Sequence, residues 1–199
     1  MKEREFHVSY KAKRILIIIA SLAILAFFYT FKNTSYLVRA ASAIGLLILF
    51  YFVDVLLDVR FTKRHYLFIL IIAVSSFLLS PLYFLYPNYD KIQHLIQPIM
   101  FASIVFFMVN KLNLKFRWNV LFTAFIVIGS LALFEIGEYY LDYLFDLKLQ
   151  GVFLRDIEGV EKYRILLDRN DDTMLDSSLG VIGTGIFAFY AWIFHDNKS

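Results

Sequence analysis

Long apolar runs separated by short polar stretches set the pattern of this chain. Six runs reach or approach the roughly 20 residues that a helix needs to cross a hydrocarbon core of about 30 Å. They cover residues 15–31, 36–57, 66–86, 92–110, 118–143 and 173–194. The connections are short except for residues 144–172, which are polar, charged and long enough to carry structure of their own. Inside that stretch Val152-Phe153-Leu154 and Tyr163-Arg164-Ile165-Leu166-Leu167 flank a Glu158-Gly159 turn signal, which predicts a short hairpin or a lid lying at the membrane surface. The expected fold is all-α: one polytopic transmembrane bundle over residues 1–199, with about six helices and an extracytoplasmic lid loop between the fifth and the sixth.

Composition agrees with a bilayer protein. Hydrophobic residues make up 60% of the chain and charged ones 19%, against about 45–50% and about 25% in soluble domains. The absence of cysteine removes disulfide frameworks, thiolate metal sites and cysteine nucleophiles. A basic leader, residues 1–14 with Lys2, Arg4, Lys11, Lys13 and Arg14, precedes the first run. Tyr29-Thr30-Phe31-Lys32-Asn33 follows that run and offers no small-residue cleavage site, so the reading is an uncleaved first span. With six spans, twelve of the Lys and Arg residues fall on the side of the termini and eight on the other, five of these in the long loop. The positive-inside rule then predicts a multi-pass protein of the cell membrane with both termini cytoplasmic. The same bias accounts for a pI near 9.0 without any nucleic-acid partner.

Ionisable residues inside a span are costly, by about 2.5–3.5 kcal/mol each at a helix centre. Span four opens Tyr89-Asp90-Lys91-Ile92-Gln93-His94-Leu95-Ile96-Gln97, with Asp90, His94 and Gln97 on one face; span five carries Glu135, Glu138 and Asp142 on one face; span six opens with Asp171-Asp172-Thr173-Met174-Leu175-Asp176. The alternation of spans brings all of these to the outer level of the membrane, so residues far apart in sequence are expected in one acidic cluster.

So many carboxylates cannot stay ionised in a low dielectric without compensation. Protons, arginines (Arg39, Arg155, Arg164, Arg169) and divalent cations are the three sources, and no Lys or Arg lies deep within spans four to six, which favours metal or protons. Inward-facing Glu and His on neighbouring helices are how carboxylate metal sites are built in bundles. Capping is the plainer reading for Asp90 and Asp172, both near amino-terminal helix ends; Glu135 and Glu138 lie too far inside their run for that. Elsewhere, Asp54 and Asp58 with Arg60, Lys63 and Arg64 read as an interfacial salt-bridge patch. Gly180, Gly183 and Gly185 read as a small-residue packing face, and Pro81 and Pro98 as kinks.

Three motifs, the Asp90-to-Gln97 run, Ala132-Leu133-Phe134-Glu135-Ile136-Gly137-Glu138, and Asp172-Thr173-Met174-Leu175-Asp176 ahead of Gly180, resemble the YjdF-like family of bacterial and archaeal inner-membrane proteins of unknown function. A looser likeness is to VanZ-like proteins, associated with glycopeptide resistance at the cell surface. The chain differs from the first pattern at Gln93 and Pro98, where glycines are expected. The resemblance implies a polytopic helical bundle and supplies no reaction.

The residues themselves point to a metal-dependent membrane hydrolase acting on a membrane lipid or a lipid-linked envelope substrate. Asp90, His94, Glu135 and Asp176 are the expected ligands of a zinc, manganese, magnesium or iron ion; Glu138 or Asp172 is the expected general base, and Gln97, Asp142 and Thr173 are supporting groups. The alternative is a cation- or proton-coupled transporter using the same carboxylates. A third reading is a scaffold whose acids pair only with lid arginines.

Overall fold

The computed structural model describes residues 34–145, 149–155 and 163–196. The first expected span and the Glu158-Gly159 turn lie outside the described residues. The helices are α1 (Thr34–Leu56), α2 (Lys63–Ala73), α3 (Tyr89–Val109), α4 (Phe116–Phe145) and α5 (Arg169–Asp196), with two strands, β1 (Val152–Arg155) and β2 (Tyr163–Leu167), between α4 and α5. Among the described residues, four helices, α1, α3, α4 and α5, are long and apolar enough to cross a membrane. The protein is a multi-pass membrane protein.

The expected third span, residues 66–86, is the departure. In place of one long helix the chain makes the 11-residue α2, a π-helical turn at Val74–Leu78 and a 3-10 turn at Ser80–Phe84. Ser75 Oγ donates back to the carbonyls of Ile71 (2.7 Å) and Ile72 (3.2 Å), competing with the regular ladder. Pro81 has no N–H to give and biases Ser80 away from helical angles.

The described residues gather into two compact units, one holding the chain up to Phe61 with Ile69–Leu79, the other Thr62–Phe68 with the chain from Ser80 onward. In the first, α1 packs on the π-helical turn and buries Ala40, Ala43, Ile44 and Phe50. Asp58 forms the exposed pair with Arg60 at 3.1 Å. Asp54, by contrast, is only 2% exposed and accepts the N–H of Phe61 at 3.0 Å, closing the chain over the end of α1.

In the second unit α3, α4 and α5 pack against one another around Ala102, Val105, Val109, Val127 and Phe187. Large apolar side chains such as Phe125, Leu133 and Phe189 are exposed on the outside of these helices, as expected for surfaces solvated by lipid. His65 stacks on Phe107 at 4.5 Å; burial, and then the charge of Arg64, hold its imidazole below the ordinary value. The strands pair antiparallel, Arg155 opposite Tyr163 and Phe153 opposite Ile165, with an irregularity between Val152 and Phe153. β1 rests on the 3-10 turn of Ser80–Phe84.

Helix association in lipid depends on close backbone approach at small residues. A Cβ at Gly183 would fall on the carbonyl oxygen of Leu95, beside Pro98, whereas one at Gly180 would come 2.6 Å from the flexible tip of Leu131 and one at Gly185 would meet nothing. The expected order of damage is therefore Gly183→Ala worst, by about 1–3 kcal/mol from overpacking against backbone, Gly180→Ala milder and Gly185→Ala neutral. Thermal unfolding of the three purified variants checks the ranking.

Candidate functional site

Three helix segments bring the acidic residues together. Asp90 and Lys91 stand in the first turn of α3, where the helix dipole favours the carboxylate. Glu135 and Glu138 come from α4, ten and seven residues before its end. At the start of α5 the capping role falls to Asp168, whose Oδ1 accepts the N–H of Asp171 at 2.9 Å, leaving Asp172 and Asp176 to face inward, each 3% exposed.

The centre of the cluster is a lysine that sequence reasoning placed at the rim. Lys91 Nζ donates to Asp172, to both oxygens of Asp176 at 2.8 Å and to Asp90 at 3.1 Å. Compensation thus comes from the lysine of the Asp90 turn, a source not among the protons, arginines and divalent cations expected from sequence. The signal was present: the first turn of an apolar helix held a lysine directly beside an aspartate. His94 lies on the other side of Asp90, Nε2 at 3.4 Å from Oδ1, while its Nδ1 is 3.7 Å from Glu135 Oε1. Asp90, His94 and Asp176 each offer a ligand atom within 4.8 Å of the others. Glu135 stands outside that trio, on the Nδ1 side of His94. Glu138 is partly buried within electrostatic reach of Glu135, His94, Asp90 and Asp176.

The remaining predicted residues take other places. Asp142 is 3% exposed and holds the turn after α4, accepting the N–H groups of Leu149 (2.8 Å) and Gln150 (2.9 Å). Asp172 Oδ2 accepts the N–H of Gly151 at 2.7 Å, so both its oxygens are engaged. Gln150 donates to Thr173 at 3.0 Å. Gln97 donates to Gln93 at 2.8 Å, and Gln93, buried, also accepts from the Tyr83 hydroxyl at 2.7 Å. Tyr83, Lys91, Gln93 and Gln150 are the members that spacing alone did not single out. Of the proposed arginine partners, Arg169 is exposed, and the side chains of Arg155 and Arg164 lie outside the described residues.

Asp90, Asp172 and Asp176 contact the one ammonium, and Glu135 and Glu138 stand around His94; counted formally, with all five carboxylates ionised and His94 neutral, the group carries a charge of −4. Breaking a buried pair on one side only leaves the other charge uncompensated, at a cost of about 3–5 kcal/mol. Lys91→Met is accordingly expected to lower the unfolding free energy by that order, and Lys91→Met with Asp172→Asn to recover part of it; unfolding in detergent measures both. Asp142→Asn is expected to act more locally. Loss of one charge-assisted acceptor, about 1–2 kcal/mol, should raise amide hydrogen exchange at Leu149 and Gln150 while exchange within α3 stays unchanged.

The family model described as "Predicted membrane protein (DUF2238)" matches residues 12–197, and the chain belongs to that family, the one its three motifs resemble. No curated protein and no solved structure matches it.

Proposed function

We propose, from the excess negative charge around Lys91, that the cluster binds a divalent cation at Asp90, His94 and Asp176 and is the centre of a membrane hydrolase. The observation that carries the proposal is the trio of ligand atoms within 4.8 Å of one another inside a group whose formal charge one lysine leaves far from balanced. Two carboxylates with an imidazole suit zinc, manganese or iron better than magnesium, which prefers an all-oxygen shell. When bound, such an ion supplies a Lewis acid that acidifies water.

The protein's own groups divide the remaining work. Glu135, facing His94 Nδ1, orients the ring and fixes its tautomer. Asp172 is spent on Lys91 and Gly151, so the proton-accepting role goes to Glu138. Lys91 holds Asp176 and Asp90 in place and offers a positive charge to an anionic substrate group. Access is sideways from lipid: the Phe134 ring is 6.4 Å from that of His94 and 54% exposed, which suits a lipid or lipid-linked envelope molecule. The Lys and Arg distribution supports reading this end of the bundle as outward-facing, with both termini in the cytoplasm.

The transporter alternative draws on Lys91, a resident cation that a mobile one would displace. It lacks a path, since residues 99–109, 118–134 and 177–194 of α3, α4 and α5 contain no Asp, Glu, His, Lys or Arg.

Protein purified without chelator is expected to carry stoichiometric divalent metal by elemental analysis. His94→Ala and Asp176→Asn should lose it, Glu135→Gln should weaken it roughly 10–100-fold, and Lys91→Met should retain it. A parent protein free of metal that also fails to take up zinc or manganese on titration removes this mechanism. Cation-dependent flux in proteoliposomes that vanishes in Glu138→Gln would put the transporter first.

A further inference from the structure

At the other end of α3, about 30 Å along the helix from Asp90, the same unit contains a second site of opposite character. A cavity of about 520 Å³ is lined by Arg64 from α2, Phe106 and Asn110 at the end of α3, Asn119 from α4, and Phe187 and Phe194 from α5, with a few neighbouring residues. Its walls are aromatic: Phe106 packs edge-on against Phe116 (6.1 Å) and Phe187 (5.7 Å), and Phe116 against Trp192 (5.9 Å).

The polar groups are unusual for such a wall. Asn119 is only 6% exposed. Its Nδ2 donates to Asn110 Oδ1 at 2.6 Å and to the carbonyl of Leu114 at 3.4 Å, while its Oδ1 has no hydrogen-bond partner. A buried acceptor without a donor costs about 1–3 kcal/mol, and a ligand hydroxyl or amine in the cavity would satisfy it. At this end of the unit cations rest on rings: Arg64 over Phe68 at 5.0 Å, Lys111 over Phe107 at 5.5 Å and Arg117 over Trp192 at 6.0 Å. None of the residues lining the cavity is Asp or Glu, so the lining itself sets no carboxylate against the guanidinium of Arg64.

An aromatic slot, a guanidinium at its rim and a buried acceptor needing a donor match three parts of one molecule: an acyl chain, a phosphodiester and a headgroup hydroxyl. The geometry points to a binding site for a glycerol-headed anionic phospholipid, phosphatidylglycerol in chemical class, taken from the leaflet at this end of the bundle. Arg64 pairs with the phosphate, the phenyl rings of Phe106, Phe187 and Phe194 hold the chain, and Asn119 Oδ1 accepts from the glycerol. Phosphatidylcholine offers neither a net negative charge nor a hydroxyl. The site is independent of the metal reading.

The chain has two tryptophans, and Trp192 stands beside the cavity against Phe116, so Trp118→Phe leaves a single reporter. The test places this variant in phosphatidylcholine nanodiscs doped with bromine-labelled phosphatidylglycerol or, in parallel, bromine-labelled phosphatidylcholine, and follows quenching of Trp192. Phosphatidylglycerol is expected to quench at lower mole fraction. Arg64→Gln, an exposed position whose replacement leaves the core untouched, should shift the midpoint roughly fivefold, the value of about 1 kcal/mol for one basic residue near the surface. Asn119→Leu should remove the preference for the glycerol headgroup over brominated phosphatidic acid. Equal quenching by the two starting lipids, or an unchanged midpoint in Arg64→Gln, overturns the proposal. So does abolition of the quenching by excess inorganic phosphate, which would make this a site for the free anion.

Discussion

One ammonium among aspartates organises the second unit. Lys91 reaches Asp90 in its own turn and Asp172 and Asp176 on α5, and so ties the start of α3 to the start of α5. In a low dielectric a charge is stable only with its partners in place, so this tie fixes the register of the two helices at one end. Gly183 against the Leu95 carbonyl fixes it again two turns further on. Just beyond the second point lies Pro98, which has no N–H to give the carbonyl of His94 and which is buried against α5.

The same tie extends to residues 149–151 beside the cluster. Asp172 takes the N–H of Gly151 with the oxygen that Lys91 leaves, Asp142 takes the next two amides back along the chain, and Gln150 reaches Thr173. Backbone groups leaving a transmembrane helix need partners, and here the carboxylates supply them. Asp172, a candidate base from sequence, and Asp142, a supporting group there, thus hold the chain, while Asp90, His94, Glu135, Glu138 and Asp176 are left around the charge deficit. The far end of the unit inverts this polarity, with cations resting on aromatic rings.

Much of this was legible in the sequence, for specific reasons. Apolar length marked the four long helices, and the spacing of Asp90 and His94, of Glu135 and Glu138, and of Asp172 and Asp176 placed each pair on one helix face. Alternation of spans then set those faces at one level. The motif-based family likeness agrees with the match over residues 12–197. What stayed hidden depended on contacts rather than on periodicity. Ser75 and Pro81 broke a run whose hydropathy alone read as one helix. Lys91 read as a rim residue because its length, which lets Nζ reach across to α5, leaves no trace in spacing. Gln93 looked like a departure from the family pattern and proved to be the buried acceptor for Tyr83 and Gln97.

The central claim is that the charge left over around Lys91 is there to hold a metal ion. Anomalous diffraction from crystals grown without chelator, collected above and below the zinc, manganese and iron edges, tests it most directly. The account requires a peak bounded by Asp90, His94 and Asp176. Well-ordered side chains with Lys91 against all three aspartates, and no anomalous signal among them even after soaking with zinc and manganese, would contradict it.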